Sequence, residues 1–226
     1  MKTKLNKILP ALLALTAAAS MQAQFYKLHG ASISVGATGN YLETLTDNPR
    51  PYSFNVPTSN GFTTNTISNQ HQTNSSTLGF LTSLQFHPVP WAGIEINYGY
   101  QHYTERFLYN QSNLAGRQRT DVPTTTHEAT GAYQFHPKHI PFQPFVNVGG
   151  GAIDFVPTQL PGSQWRAAGL VETGFDIAMP YTYRKLALRI QGRGLFYRAP
   201  NFYNTALSTS SWRVSAEPSA SFVYRF

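Results

Sequence analysis

The sequence predicts an all-β protein: a transmembrane antiparallel up-and-down β-barrel of eight strands. Three observations predict it. Apolar and polar residues alternate with period two over stretches much longer than ordinary strands. Ionisable residues inside those stretches fall on one parity only. The connections between the stretches are short and long in turn.

The chain has 226 residues, no cysteine, and 12% charged residues. That charged fraction is about half the ~25% usual for soluble domains. Fifteen phenylalanines and 13 tyrosines argue against disorder. Mean hydropathy is still negative, at −0.29, so the apolar residues are dispersed among uncharged polar ones. The absence of cysteine excludes disulfides, Cys-ligated zinc, iron–sulfur clusters and a thiol nucleophile.

The first residues read as a leader. Lys2, Lys4 and Lys7 precede a 12-residue apolar run, Ile8 to Ala19, and small residues lead on to Ala23. Such a run is too short to span a membrane as a helix and fits a secretory signal peptide cleaved after Ala23. The expected division is therefore 1–23, signal peptide, and 24–226, barrel domain. Removing 23 of 226 residues, three of them lysines, leaves 203 with a formal charge of +4 in place of +7.

Strand-like segments are expected near 29–42, 77–87, 91–103, 124–136, 142–153, 166–179, 185–198 and 212–226. In the third, Ala92, Ile94, Ile96, Tyr98 and Tyr100 share one face. In the last, Trp212 to Phe226 alternates for 15 residues, against ~5–6 for a mean strand. The fifth alternates least cleanly, and Gly149, Gly150 and Gly151 follow Val148. No helix pattern or Lys-Ser/Thr pair follows this run, so close backbone approach is expected in place of a phosphate loop.

Three connections are tight: 87–90, 136–141 and 180–184. Four are long and polar: 43–76, 104–123, 154–165 and 199–211. Short turns at one end and long loops at the other are the pattern of an outer-membrane barrel. Within 43–76, Asn60-Gly61 is a type I′ hairpin signal, expected to build a hairpin above the membrane. The competing count is ten strands, with Asn60-Gly61 at the periplasm. Pro51, Pro57 and the polar run Ser68 to Ser76 argue against it.

Nine ionisable residues lie inside the strands: Glu95, Glu128, Glu172, Asp176, Arg189, Arg193, Arg213, Glu217 and Arg225. Each sits opposite the apolar series of its own strand. A lipid-facing Arg or Lys costs ~2–4 kcal/mol at the midplane, so these residues are expected in the lumen. A soluble sandwich would show the same alternation, with the faces reversed. Strand length, the aromatic series and the leader favour the barrel. Across the hairpin near Thr182-Tyr183, one register pairs Asp176 with Arg189 and Glu172 with Arg193. These four are the expected lumen ion pairs, and with Gln101, Gln134, Gln191 and Tyr197 they are expected to fill the interior.

The whole mature chain resembles the small eight-stranded outer-membrane β-barrel family, which contains OmpX and the OmpA transmembrane domain. The sharpest element is the end, Phe222-Val223-Tyr224-Arg225-Phe226. Phe222, Tyr224 and Phe226 resemble the C-terminal assembly signal read by the barrel-assembly machinery. The resemblance implies an outer membrane with lipopolysaccharide and no single activity. No peptidoglycan-binding domain is expected to follow, unlike full-length OmpA.

Arg106, Arg117, Arg119, Arg166 and Arg198 gather toward the long loops and are candidate lipopolysaccharide contacts, because guanidinium groups fork onto phosphate oxygens. The competing reading is ordinary solvated loop charge. Trp91, Tyr98, Tyr100, Tyr103, Trp165, Phe196, Trp212 and Tyr224 lie near strand ends, as an aromatic girdle requires. The tetrapeptide Gln-Phe-His-Pro occurs twice, at 85–88 and 134–137, and its histidines read first as solvated or capping turn residues.

The expected function is structural or surface-interacting, adhesin-like, with long extracellular loops above a filled lumen and a surface ligand taken through the loops. The alternatives are a lipid A-modifying enzyme, for which lipid-facing His127 is the candidate base, and a small porin-like channel. No Ser-His-acid set stands out. No catalytic, cofactor or metal site is expected. Nucleic acid is not an expected partner despite a pI near 9.7, because the leader carries part of the basicity.

Overall fold

The computed structural model describes residues 30–42, 44–46, 51–137, 142–180, 182, 185–203 and 211–226. The expected leader lies outside the described residues, as do 138–141 and most of the 180–184 turn.

Eleven strands and no helix form among the described residues. They are β1 (Ala31–Leu42), β2 (Leu45–Thr46), β3 (Tyr52–Thr58), β4 (Gly61–Asn74), β5 (Thr77–Val89), β6 (Ala92–Gln111), β7 (Arg117–Phe135), β8 (Pro144–Pro157), β9 (Gln164–Ala178), β10 (Leu186–Arg198) and β11 (Trp212–Arg225). Eight of them close an antiparallel ring in the order β1, β5, β6, β7, β8, β9, β10, β11 and back to β1. Closure leaves no open edge along the wall, which is what a bilayer demands of a sheet.

Side-chain parity decides what faces where. On β6, Gly93, Glu95, Asn97, Gln101 and Tyr103 are buried, whereas Ile94, Ile96, Tyr98 and Tyr100 are exposed. On β11, Arg213, Ser215, Glu217 and Ser219 are buried between exposed Trp212, Val214, Phe222 and Tyr224. A polar inside and an apolar outside invert the arrangement of a soluble sandwich. Phe145 and Asn147 on β8 turn inward while Val146 and Val148 turn out, so the least regular segment keeps the same rule.

Two expectations are corrected. The 104–123 stretch is not a loop: β6 and β7 stay paired up to Asn110 and Arg117, leaving only 111–116 outside their ladder. The outward face turns polar after His102 because the strands leave the membrane, not because they leave the sheet. At ~3.4 Å per residue and a tilt of ~40°, the 20 residues of β6 rise about 50 Å, roughly twice the ~25 Å apolar band. Tyr103 is not a girdle residue either. It points inward, 3% exposed, and its hydroxyl donates to Glu105 Oε1 at 3.3 Å.

The 43–76 stretch builds the rest of this projecting wall. β4 pairs with β6 from Gln111 down to Glu105, and β5 takes over on the same side of β6 from Tyr100. β3 and β4 make the hairpin, with Thr58 opposite Gly61. The reversal is thus at Ser59-Asn60, and of the two residues of the expected I′ signal only Gly61 has positive φ, 125°. Because β4 lies beyond the membrane-spanning part of β6, the ring has eight strands, not ten.

The glycine run of β8 is a place of close backbone approach. A Cβ on Gly149 would fall 2.0 Å from the Gly131 carbonyl oxygen, and one on Gly151 would fall 2.1 Å from that of Ala129. Any side chain there would push β7 and β8 apart.

Candidate functional site

The lumen is layered from the periplasmic mouth upward. Its lowest charged layer is Arg189. Arg189 Nε donates to Asp176 Oδ1 at 2.7 Å, as the β9–β10 register brings the two residues opposite. Nη1 crosses the lumen to Glu95 Oε2 at 3.1 Å, and Nη2 reaches Gln85 Oε1 at 3.2 Å. The guanidinium also lies 4.3 Å from the centre of the Phe145 ring. Glu95 Oε2 further accepts from Gln134 and Asn147, at 3.1 and 3.0 Å.

One turn of parity higher, Arg193 is the hub. Its Nε donates to Glu172 Oε1 at 2.6 Å, its Nη1 to Glu217 Oε2 at 2.9 Å, and its Nη2 to Glu128 Oε1 at 2.5 Å. Asn147 Nδ2 ties this layer to the lower one by donating to Glu172 Oε2 at 2.6 Å. Above it, Arg213 Nη1 donates to Glu105 Oε1 at 2.5 Å. Arg189, Arg193 and Arg213 are each no more than 2% exposed, so their carboxylate partners replace water.

The lumen then changes character. Tyr103, Phe107, Phe155, Leu170, Leu195, Tyr197 and Phe202 form an apolar cluster inside the outer end of the barrel. Phe202 comes from residues 199–203, which were expected to be part of a long loop and instead fold inward. Gln164 holds them: its Oε1 accepts from the amides of Asn201 and Phe202 at 2.9 and 3.1 Å, and its Nε2 donates to Asn201 Oδ1 at 2.7 Å. Gln72 Nε2 donates to the Pro200 carbonyl at 3.0 Å. Phe202 and Tyr203 adopt φ of 48° and 59°, uncommon for non-glycine residues and sustained only by such surroundings. Gln164→Ala is expected to leave the half-buried amide of Asn201 and the buried amide of Phe202 without an acceptor, at about 1–3 kcal/mol. Limited proteolysis of the folded barrel checks this: cleavage near Tyr203 should accelerate several-fold while the strands stay protected.

Two cavities lie along this filled lumen. A vestibule of about 830 Å³ opens among Ser32, His87, His136, Gln143, Arg189 and Arg225 at the periplasmic mouth. Between Glu217 and Tyr197 there is only about 10 Å³, room for one water.

The five candidate lipopolysaccharide arginines do not form one cluster. Arg117 and Arg119 are exposed near the tip of the projecting β6–β7 pair, and Arg119 is bonded to Asp121 two residues on. That bond holds the Asp121 carboxyl below its ordinary range. Arg106 lies opposite Asp121 on β6. Arg166 reaches Asn201 at 3.4 Å at the upper mouth. Arg198 lies opposite Trp212 at the rim. Phe222, Tyr224 and Phe226 face outward, with the Tyr224 and Phe226 rings edge-on at 5.3 Å.

His127 stands on the outer wall in the row of Tyr100, Asp154 and Trp165. Its Nδ1 pairs with the Tyr98 hydroxyl at 2.8 Å. Thr125, two residues earlier on the same face, bonds His102 Nδ1 at 3.0 Å and not His127.

No family model and no curated protein matches the chain. Among solved structures, it is similar to Neisserial surface protein A (NspA) with 11% identity and a TM-score of 0.50, over 88% of this chain and 100% of that one. It also matches Ail, the attachment invasion locus protein of Yersinia pestis, with 10% identity and a TM-score of 0.42, over 88% and 99%. A third match is outer membrane protein AlkL, with 14% identity and a TM-score of 0.43, over 88% and 92%. The closed ring, the inverted polarity and the match to NspA give one conclusion: the chain has the fold of the small eight-stranded outer-membrane β-barrels, the group of OmpX and the OmpA transmembrane domain.

Proposed function

We propose that this protein is a surface-interaction barrel, delivered by the leader 1–23, anchored in the outer membrane and presenting its projecting wall to the outside. One observation carries the reading: β3, β4 and the upper halves of β6 and β7 form one hydrogen-bonded sheet continuous with the wall, above a lumen filled by ion pairs and aromatic rings. A rigid platform of this kind holds a binding surface without the ordering cost of a free loop. Its exposed face carries Ser, Thr and Asn hydroxyls and amides bonded across strands, as in Ser53 with Thr66 at 3.0 Å and Thr64 with Asn55 at 2.9 Å. Phe62 and Leu114 stand exposed at its tips. Lipopolysaccharide is the proposed partner of the rim arginines, Arg198 foremost.

The test compares the full barrel with one in which residues 51–66 and 109–118 are replaced by short turns. Both should show the heat-modifiable gel mobility of a folded barrel. On an array of host-surface glycans and matrix proteins, the full barrel should bind at least one class about tenfold or more above the trimmed one. Equal binding, or none, defeats the proposal. In liposome swelling, neither should admit sugars, and fast swelling by the full barrel would move the reading to a channel.

A second reading, a lipid A-modifying enzyme, has one observation in its favour: the lipid-facing pairing of His127 with Tyr98, beside Asp154, whose Oδ1 is buried and finds no hydrogen-bond partner. Unchanged lipid A in membranes carrying the barrel removes it.

A further inference from the structure

The repeated Gln-Phe-His-Pro segments converge in space. They close β5 and β7, strands that flank β6 on its two sides, and so bring their polar residues to one vestibule. The rings of His87 and His136 stand 5.0 Å apart, edge to face, inside the 830 Å³ space. Above them Gln85 and Gln134 both donate to Glu95 Oε2 at 3.1 Å. That bond orients the Gln134 amide so that its Oε1 faces the histidines.

The hydrogen bonding of this group is incomplete in an informative way. His87 Nδ1 lies 3.1 Å from the Gly30 carbonyl oxygen, which can only accept, so Nδ1 carries a proton. In a neutral imidazole Nε2 then carries a lone pair. Yet Nε2 points at another acceptor, Gln134 Oε1, at 2.5 Å. Two lone pairs at that distance repel unless a positive charge lies between or beside them. His136 Nε2 is buried and finds no hydrogen-bond partner. A buried orphan of this kind calls for a missing water or ion.

We propose that His87 Nε2, His136 Nε2 and Gln134 Oε1 form a site for a divalent transition metal ion of the zinc, nickel or copper class, open to the periplasm. Imidazole suits these ions. Two imidazoles sharing one tetrahedral ion at ~2.1 Å have ring centres about 5 Å apart, the spacing found here. The ion would spread the His87–Gln134 contact to about 3.3 Å. The contact of His87 Nδ1 with a backbone carbonyl is the outer-shell bond that fixes a ligating histidine. Room for the ring is built in: a Cβ on Gly93 would fall 2.7 Å from His87 Cδ2. The fourth position faces the vestibule and is left to water or a small ligand.

The experiment is calorimetric titration of ZnCl₂ into the full, tag-free barrel refolded in zwitterionic detergent. One Zn²⁺ per barrel is expected. His87→Gln and His136→Gln should each weaken it on the order of 100-fold, with folded mobility on gels unchanged. His102→Gln with His127→Gln, on the outer wall, should leave it intact. The double change His29→Gln with His139→Gln, outside the described residues, should also leave it intact. Absence of binding at millimolar Zn²⁺ overturns the proposal. Binding that survives both His87→Gln and His136→Gln overturns it by placing the ion elsewhere.

Discussion

Arg193→Leu is expected to lower the unfolding free energy of the barrel by about 3–5 kcal/mol, because it strips a buried charge network of its donor. Arg117→Leu, at the exposed tip of β7, is expected to cost only ~0–1 kcal/mol. Urea unfolding in liposomes compares them. Pairing Arg193→Leu with Glu172→Leu would restore most of the loss if Arg193 had one partner. The structure gives it three, so Glu128 and Glu217 remain without their donor and recovery should be partial. Adding Glu128→Gln and Glu217→Gln should recover more. Full recovery by the first pairing alone, or equal cost for the two arginines, would contradict the hub arrangement.

Deleting Phe226 is expected to cut folded protein in the outer membrane several-fold and leave chain to periplasmic proteases. The expectation rests on the resemblance of Phe222, Tyr224 and Phe226 to an assembly signal. A local geometric reason supports it: the Phe226 amide donates to the Ala31 carbonyl at 3.1 Å, at the seam where β11 meets β1. The fraction of heat-modifiable protein in isolated membranes is the readout. An unchanged fraction would leave the aromatic series with a lipid-packing role only.

The parity of the strands could be counted along the chain because lipid tolerates one kind of side chain and the lumen another. For β9 and β10 the counting extends to register, since a short reversal between Ala178 and Leu186 leaves little freedom. The contacts of Arg189 with Glu95 and of Arg193 with Glu128 and Glu217 were not legible. Glu95 and Glu128 lie on strands far across the ring from β10 and meet its arginines through the ring's stagger, which leaves no local trace, while Glu217 lies directly opposite Arg193 on the next strand, in a register that the long 199–211 connection does not fix. Tyr103 and the 104–123 stretch misled for a related reason. Past the bilayer the outer face turns polar and the inner face turns aromatic, so the pattern that marks a strand in lipid reverses while the sheet continues. The inward fold of 199–203 carries no periodic signal, and nothing in the sequence marks Gln164 as the acceptor of its backbone amides.

The seam between β1 and β11 also sets an order of events. Ser32 lies opposite Arg225, so the ladder that shuts the ring joins the first described strand to the last. Every other pair in the ring joins strands much nearer in the chain, and those ladders can form while the two ends are still apart. Until the ends meet, β1 and β11 each present a row of unpaired amides and carbonyls. Hydrocarbon cannot satisfy such groups, and in water they invite pairing with another chain. The unfinished barrel is therefore unwelcome in both solvents, and its passage from periplasm to membrane has to coincide with the closing of that last seam.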